Sequence, residues 1–280
     1  MPEPTRQDGT MKEQDMPHRQ DTGGERLRVT TQEGVATLCL TDASSRNALS
    51  SAMMTDITNA LTALADRRDI HVVVIEAEGP AFSSGHNLKE VIGDSRLDTM
   101  QALFDQCSHM MQTVVNLPKP VIAKVDGVAT AAGCQLVASC DLAFASDTSR
   151  FGTPGVNIGL FCSTPMVALS RNVAPKHAME MLLGGDLVDA EHAARIGLIN
   201  RAVPAADLAG TVAEFARRIA AKSPLTVSIG KTAFYQQLSL PLDQAYDLAS
   251  RVMAENMQTQ DAKEGISAFL EKRDPTWQGK

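Results

Sequence analysis

What this sequence lacks narrows its possible classes first. No apolar run approaches the roughly 18 residues of a membrane-spanning helix, so neither a transmembrane segment nor a membrane partner is expected. There is no basic surplus: 26 Lys and Arg stand against 33 Asp and Glu, a net charge of −7, with no basic stripe. That argues against nucleic-acid binding driven by counterion release. The five cysteines, Cys39, Cys107, Cys134, Cys140 and Cys162, contain no CxxC pair and are odd in number. In a chain this long, that disfavours a disulfide framework and points to a reduced, cytoplasmic setting. The six histidines are scattered, with no pair at helical metal-ligand spacing, so no metal site is expected. Residues 1–25 are polar and cannot bury enough apolar surface to order themselves, which predicts a disordered extension. A mitochondrial address is Arg-rich and poor in acids. This segment carries Glu3, Asp8, Glu13, Asp15 and Asp21.

What is present is a chain of 280 residues with 44% hydrophobic content, ample for a buried core. "LRVTT" and "VATLCLT" flank a Gln32–Glu33–Gly34 turn and read as a hairpin. Met53, Ile57, Leu61 and Leu64 recur three or four apart between Ser50 and Arg68, the pattern of a helix with one buried stripe and Ser50 or Ser51 as its cap. "HVVVIEA" is a continuous apolar run suited to a strand covered on both faces. A helix is expected from about Leu97 to Asn116, ended by Pro118 and Pro120, and "VIAKV" is another short strand. Short β runs alternating with helices define an α/β class. The expected division is a core over residues 26–204 and a helical region over 205–280. In the last helix Asp261 is the expected cap, with Lys272 and Arg273 favourable at the C-terminal end.

Two glycine-containing turns follow apolar strands: "AFSSGHNLKE" after "HVVVIEA", and "GVATAAGCQL" after "VIAKV". Small residues there let a ligand approach the backbone, and helix N-termini offer unpaired N–H groups. Side by side, two such turns can aim two donors at one oxygen as an oxyanion hole, each worth about 3–4 kcal/mol in a transition state. They can equally be two tight connections of an ordinary α/β protein.

Longer segments carry a resemblance. "AFSSGHNLKEV" resembles the "AFxxGxDxKE" turn of the crotonase family, the enoyl-CoA hydratase and isomerase superfamily. "KPVIAKVDGVATAAGCQLVASCDLAFAS" resembles its "KPxIAxVxGxxxGGGxELxxxCDxxxA" segment, and "FGTPGVNIGL" its "FxxPExxxG" segment. "GDLVDAEHAARIGLINRAVP" and "DAKEGISAFLEKRDPTW" match its later signatures, so the similarity runs from about Leu27 to Trp277. It implies a spiral of ββα units with a C-terminal helical trimerisation region, assembled as a homotrimer or dimer of trimers. It implies an acyl-CoA thioester as substrate or ligand, with no permanently bound cofactor. It assigns the oxyanion donors to the backbone N–H groups of His86 and Ala132. Alanine for the usual glycine at 132 keeps the N–H and adds a methyl that tightens the pocket. Asn87, Leu88 and Lys89 fall on the turn that lines the adenine pocket. Lys272 is a candidate phosphate contact across a subunit boundary, or simply a solvated helix-end lysine.

The resemblance also exposes two gaps. The family's hydratases use two glutamates to move protons, and the matching positions here are Gln135 and Gly155. An amide can hold a water but cannot take its proton near neutral pH, and glycine can do neither. General acid–base catalysis typically supplies about 10²–10⁴-fold in rate, so the usual hydratase route should be crippled. Candidate substitutes after "NIGL" are Cys162, as nucleophile or as buried filler, and Ser163, with His86 as a base. Asp141 is expected to hold a turn, and Glu90 to lie on a helix surface. Three readings follow: an enoyl-CoA hydratase- or isomerase-like enzyme working through a stabilised thioester enolate, a non-catalytic acyl-CoA-binding or regulatory protein, and a CoA thioester hydrolase or other lyase using Cys162 or Ser163.

Overall fold

The structure is a computed structural model that describes residues 20–280. Its larger sheet begins with β1 (Gln20–Gly23), β2 (Leu27–Gln32) and β3 (Val35–Leu40), an antiparallel meander. Three parallel strands follow, β4 (Val72–Ala77), β6 (Val121–Val125) and β8 (Leu142–Ser146), and then β11 (Arg201–Val203), giving the order β1-β2-β3-β4-β6-β8-β11. The smaller sheet holds β5 (Ala81–Ser83), β7 (Val128–Thr130), β9 (Arg150–Gly152) and β10 (Val188–Asp189), in the order β10-β9-β7-β5. The chain therefore alternates between sheets: β4 then β5, β6 then β7, β8 then β9. A helix follows each pair, which is the expected ββα spiral.

The strand–helix pattern follows from burial. In β4, Val73 and Ile75 face one core cluster while Val72 and Val74 face a second, so the uninterrupted "VVVI" run is buried on both sides. The first cluster is closed by α1 (Ser51–Ala65), through Met53, Met54, Ile57, Leu61 and Leu64, and by α3 (Leu97–Asn116), through Leu103, Cys107, Met110, Met111 and Val114. The Ser50 hydroxyl accepts the Met53 N–H at 3.1 Å, the expected cap of α1. Between these two lies the short α2 (Leu88–Gly93). In the middle of the first cluster sits α4 (Ala132–Ser139), all eight residues of which are buried.

The rest of the chain forms α5 (Ser163–Asn172), α6 (Pro175–Gly184), α7 (Ala190–Arg195), α8 (Ala205–Ala220), α9 (Pro224–Gln237), α10 (Leu242–Asn256) and α11 (Gln260–Glu271). Three expectations change here. Residues 20–23 belong to the sheet as β1, because their backbone pairs with β2 whatever their side chains; residues 1–19 lie outside the described residues. The boundary at 204/205 is misplaced: Leu208, Val212 and Ala216 of α8 cover Val72, Val74, Ile122 and Phe144, so α8 is a layer of the core. Asp261 does not cap α11. Thr259 does, accepting the Ala262 N–H at 3.1 Å. Asp261 is buried, and accepts from Ser223 Oγ at 2.5 Å and from the Gln278 N–H at 2.7 Å, fastening the C-terminal tail.

Candidate active site

Strands β5 and β7 pair in parallel, Ala81 opposite Val128 and Ser83 opposite Ala129, so the turns that leave them emerge together. The first turn is pinned by Asn47, whose Nδ2 donates to the Glu78 and Ala81 carbonyls at 2.8 Å each. Leu49 N donates to Gly85 O at 2.7 Å. The two turns touch at Gly85 (φ +88°): a Cβ there would lie 2.9 Å from the Ala131 methyl and 3.1 Å from the Ala132 nitrogen. No side chain fits that gap. The following amide, His86 N–H, and the Ala132 N–H that opens α4 find no acceptor among the described residues.

The second turn reverses at Ala131, with φ +52° and ψ −120°. A residue with a Cβ avoids this region, and holding it there typically costs about 1–3 kcal/mol. Ala131 N donates to Gly152 O at 2.9 Å, and Ala131 O accepts the Gln135 N–H at 3.0 Å, so both neighbours over-determine the strained peptide. The reversal makes Ala132 the first residue of α4, at the end where helix amides are unpaired. Sequence reasoning missed Ala131; the glycine standing there in the family pattern was the available signal.

The His86 ring lies edge-on to Phe104, centroids 5.3 Å apart, and its Nε2 is buried without a partner. Burial holds its pKa below the usual 6.5, against the pull of nearby Glu90, so the ring is neutral near pH 7. Glu90 itself accepts from Ser51 N at 3.0 Å on the surface, as expected for a helix-face acid.

Gln135 points from α4 into the buried layer; Cys107 Sγ of α3 lies 4.0 Å from its Oε1. Burial pushes the Cys107 thiol up to about 12, so it donates rather than ionises. Gly155 lies in the 3₁₀ segment Pro154–Ile158. A Cβ on Gly155 would meet the Leu160 carbonyl oxygen at 2.3 Å and Cys162 Sγ at 2.8 Å, because Leu160 N closes the loop onto Gly155 O at 2.9 Å. The space beside Gly155 is therefore filled by the chain's own loop. Cys107 and Leu160 carried no sequence signal, since helix face and loop closure are set by packing.

The other candidates are placed as follows. Cys162 is buried, and that burial raises its thiol pKa, although contact with the Gly155 backbone opposes the shift. Ser163 is exposed, and its Oγ donates to Phe161 O at 3.3 Å. No base hydrogen-bonds to either among the described residues. Asp141 is structural: it accepts from Val121 N at 2.6 Å, Lys231 Nζ at 2.8 Å and Tyr235 OH at 2.9 Å, tying α9 to the large sheet. Asn87 caps α2, its Oδ1 accepting Lys89 N–H at 3.1 Å, while Leu88 and Lys89 stand exposed beside it. Lys272 ends α11 in the left-handed region (φ +54°), exposed, its ammonium without a partner among the described residues.

Paired parallel turns, each ending in a backbone amide without an acceptor among the described residues, sit on a spiral of ββα units. The chain belongs to the enoyl-CoA hydratase/isomerase family, whose model matches residues 30–280. Among its relatives, the rat enoyl-CoA hydratase domain-containing protein 3, mitochondrial, is 48% identical over 246 residues, spanning 88% of this chain and 82% of that protein. The crystal structure of human enoyl coenzyme A hydratase domain-containing protein 3 superposes with a TM-score of 0.88 at 47% identity, covering 90% of this chain and 100% of that one. An enoyl-CoA hydratase structure from Mycobacterium smegmatis gives 0.86 at 44% identity, over 94% and 99%. The rat, mouse and human relatives are all named mitochondrial, which overturns the cytoplasmic expectation. Unpaired cysteines fit a reducing compartment but do not separate one reducing compartment from another.

Proposed function

We propose that this protein binds an acyl-CoA thioester and polarises its carbonyl between the amides of His86 and Ala132, without the glutamate pair that hydrates enoyl thioesters. The observation that supports this most is the contact of Gly85 with Ala131 and Ala132, which sets the two free amides next to each other. Amides held rigid in a dry site stabilise a developing oxyanion without reorganising. Asn87, Leu88 and Lys89 would flank the adenine, and Lys272 a phosphate.

The chemistry after polarisation divides the readings. Gln135 has no proton to exchange near neutral pH and Gly155 has no room for a side chain, so binding and enolate stabilisation survive where water addition does not. This favours an acyl-CoA-binding role, or an enolate reaction needing no second acid, over hydration. A Cys162 or Ser163 hydrolase is disfavoured, because neither nucleophile has a base to activate it. A reducing mitochondrial setting is consistent with the relatives' names and the free cysteines.

The test pairs calorimetry with a hydration assay on crotonyl-CoA. The expected result is a Kd in the micromolar range, about −8 kcal/mol at 1 μM, with hydration far below that of an enzyme carrying both glutamates. A hydratase-like rate from the pure protein overturns the proton-carrier argument, and absence of CoA-ester binding overturns the proposal.

A further inference from the structure

The spacing of histidines along the chain predicts no metal site, yet the fold brings two of them together with a carboxylate. His177 and Glu180 sit three residues apart on α6, on one helix face. His192 comes from α7, whose first turn is set by the Asp189 cap: Asp189 Oδ1 accepts the His192 N–H at 2.7 Å. One ligand atom from each residue lies within 4.8 Å of the other two. His177 Nδ1 and Glu180 Oε2 are 3.5 Å apart, and the two imidazoles meet edge to face with centroids 6.0 Å apart. A search for pairs along a single helix misses the set, because the second imidazole arrives from the next helix.

We propose that His177, Glu180 and His192 form a binding site for a divalent first-row transition-metal cation of the zinc type. The donor set decides the class. Two imidazoles and one carboxylate suit Zn²⁺, Ni²⁺ or Cu²⁺, whereas Ca²⁺ and Mg²⁺ take oxygen ligands. Zinc holds N and O ligands at about 2.0–2.2 Å, so atoms already clustered this closely converge by rotation of exposed side chains. Three protein ligands leave a fourth position to water.

Arg195 is the competitor built into this site. Its guanidinium lies 2.8 Å from His192 Nδ1, so that nitrogen accepts and the neutral ring carries its proton on Nε2. A metal on Nδ1 displaces Arg195 directly; a metal on Nε2 needs the other tautomer, which cannot accept from Arg195. Either way the guanidinium must leave, and exposed Glu191, at 4.0 Å, is there to receive it. The ion would brace α6 against α7. α6 in turn supports the loop carrying Gly155: Thr153 Oγ1 donates to Met181 O at 3.0 Å, and Asn157 Nδ2 to Gly185 O at 3.1 Å. The inference is independent of thioester binding.

Calorimetric titration of the full chain with zinc chloride in a non-coordinating buffer tests it. One ion per chain is expected, with affinity weakened at least about tenfold by His177→Ala and by His192→Ala, and strengthened by Arg195→Ala. Co²⁺ in place of zinc should give visible d–d bands without the near-ultraviolet charge transfer of thiolate ligands. No binding, a thiolate band, unaltered binding in the His177→Ala/His192→Ala double variant, or weaker binding after Arg195→Ala would each overturn the proposal.

Discussion

Ala131 condenses the logic of the site into one residue. Its φ of +52° with ψ of −120° is held by the Gly152 and Gln135 backbone bonds, and its methyl faces Gly85. Glycine there would release strain of about 1–3 kcal/mol, less roughly 0.4–1 kcal/mol for the freer unfolded chain. Ala131→Gly is therefore expected to melt at a higher temperature while keeping its affinity for CoA esters, because the backbone bonds that set the turn remain and the family pattern carries glycine there. Scanning calorimetry and titration on the same sample check both halves. A variant that gains stability but loses affinity would mean that the methyl, and not the backbone alone, positions the amides. Gly155 teaches the converse: the resemblance matches it to an acid, but only the Leu160 carbonyl 2.3 Å from its absent Cβ shows that no side chain fits.

Among the elements, α11 and the tail that follows it form a strap. Asp261 receives the Ser223 hydroxyl and the Gln278 and Gly279 amides; Glu264 receives Arg273 and the Thr276 N–H. The single tryptophan, Trp277, donates to Ala221 O at 2.9 Å and packs on Gly265, so its fluorescence reports docking. Burial alone would raise the Asp261 pKa, but the donated hydrogen bonds outweigh it and hold the carboxyl below its usual 3.8. A depressed carboxyl stabilises fully above its unfolded pKa, and that contribution is lost as pH falls through the folded value. Trp277 emission is thus expected to stay constant from neutral pH down to about pH 4 and to shift only below it. Asp261→Ala should show the shifted emission already at pH 7, with stability reduced by about 2 kcal/mol. Retention of the native emission in that variant would assign the docking to Glu264 instead.

For the whole molecule, the outer faces of the C-terminal helices stand uncovered. Leu242 and Tyr246 of α10 are 75% and 68% exposed, and Phe269 and Leu270 of α11 are 82% and 74% exposed. Apolar area on this scale marks an association surface, and the family resemblance supplies a trimer as the expected assembly. Light scattering should return three times the 29.9 kDa chain mass, or six times for a dimer of trimers. Leu270→Asp with Phe269→Glu should lower that mass without unfolding the core, since both side chains stand clear of it. A native chain that runs as a monomer would leave this surface to another partner.

Local pattern alone was enough for the class of fold, the stripe of α1, the doubly covered β4 and the identity of the two turns, because each depends on residues close together in the chain. Gln135 and Gly155 stood out only through the resemblance, which matches them to glutamates, and not through local pattern. What required the folded chain was everything made by segments far apart. α8 became core because its Leu208 and Val212 found the second face of the sheet, and β1 formed because backbone pairing does not depend on apolar side chains. Asp261 passed from helix cap to buried anchor when the tail returned to it. The loop over Gly155 and the meeting of His177 with His192 are likewise matters of which surfaces pack together, and no periodicity within one element records that.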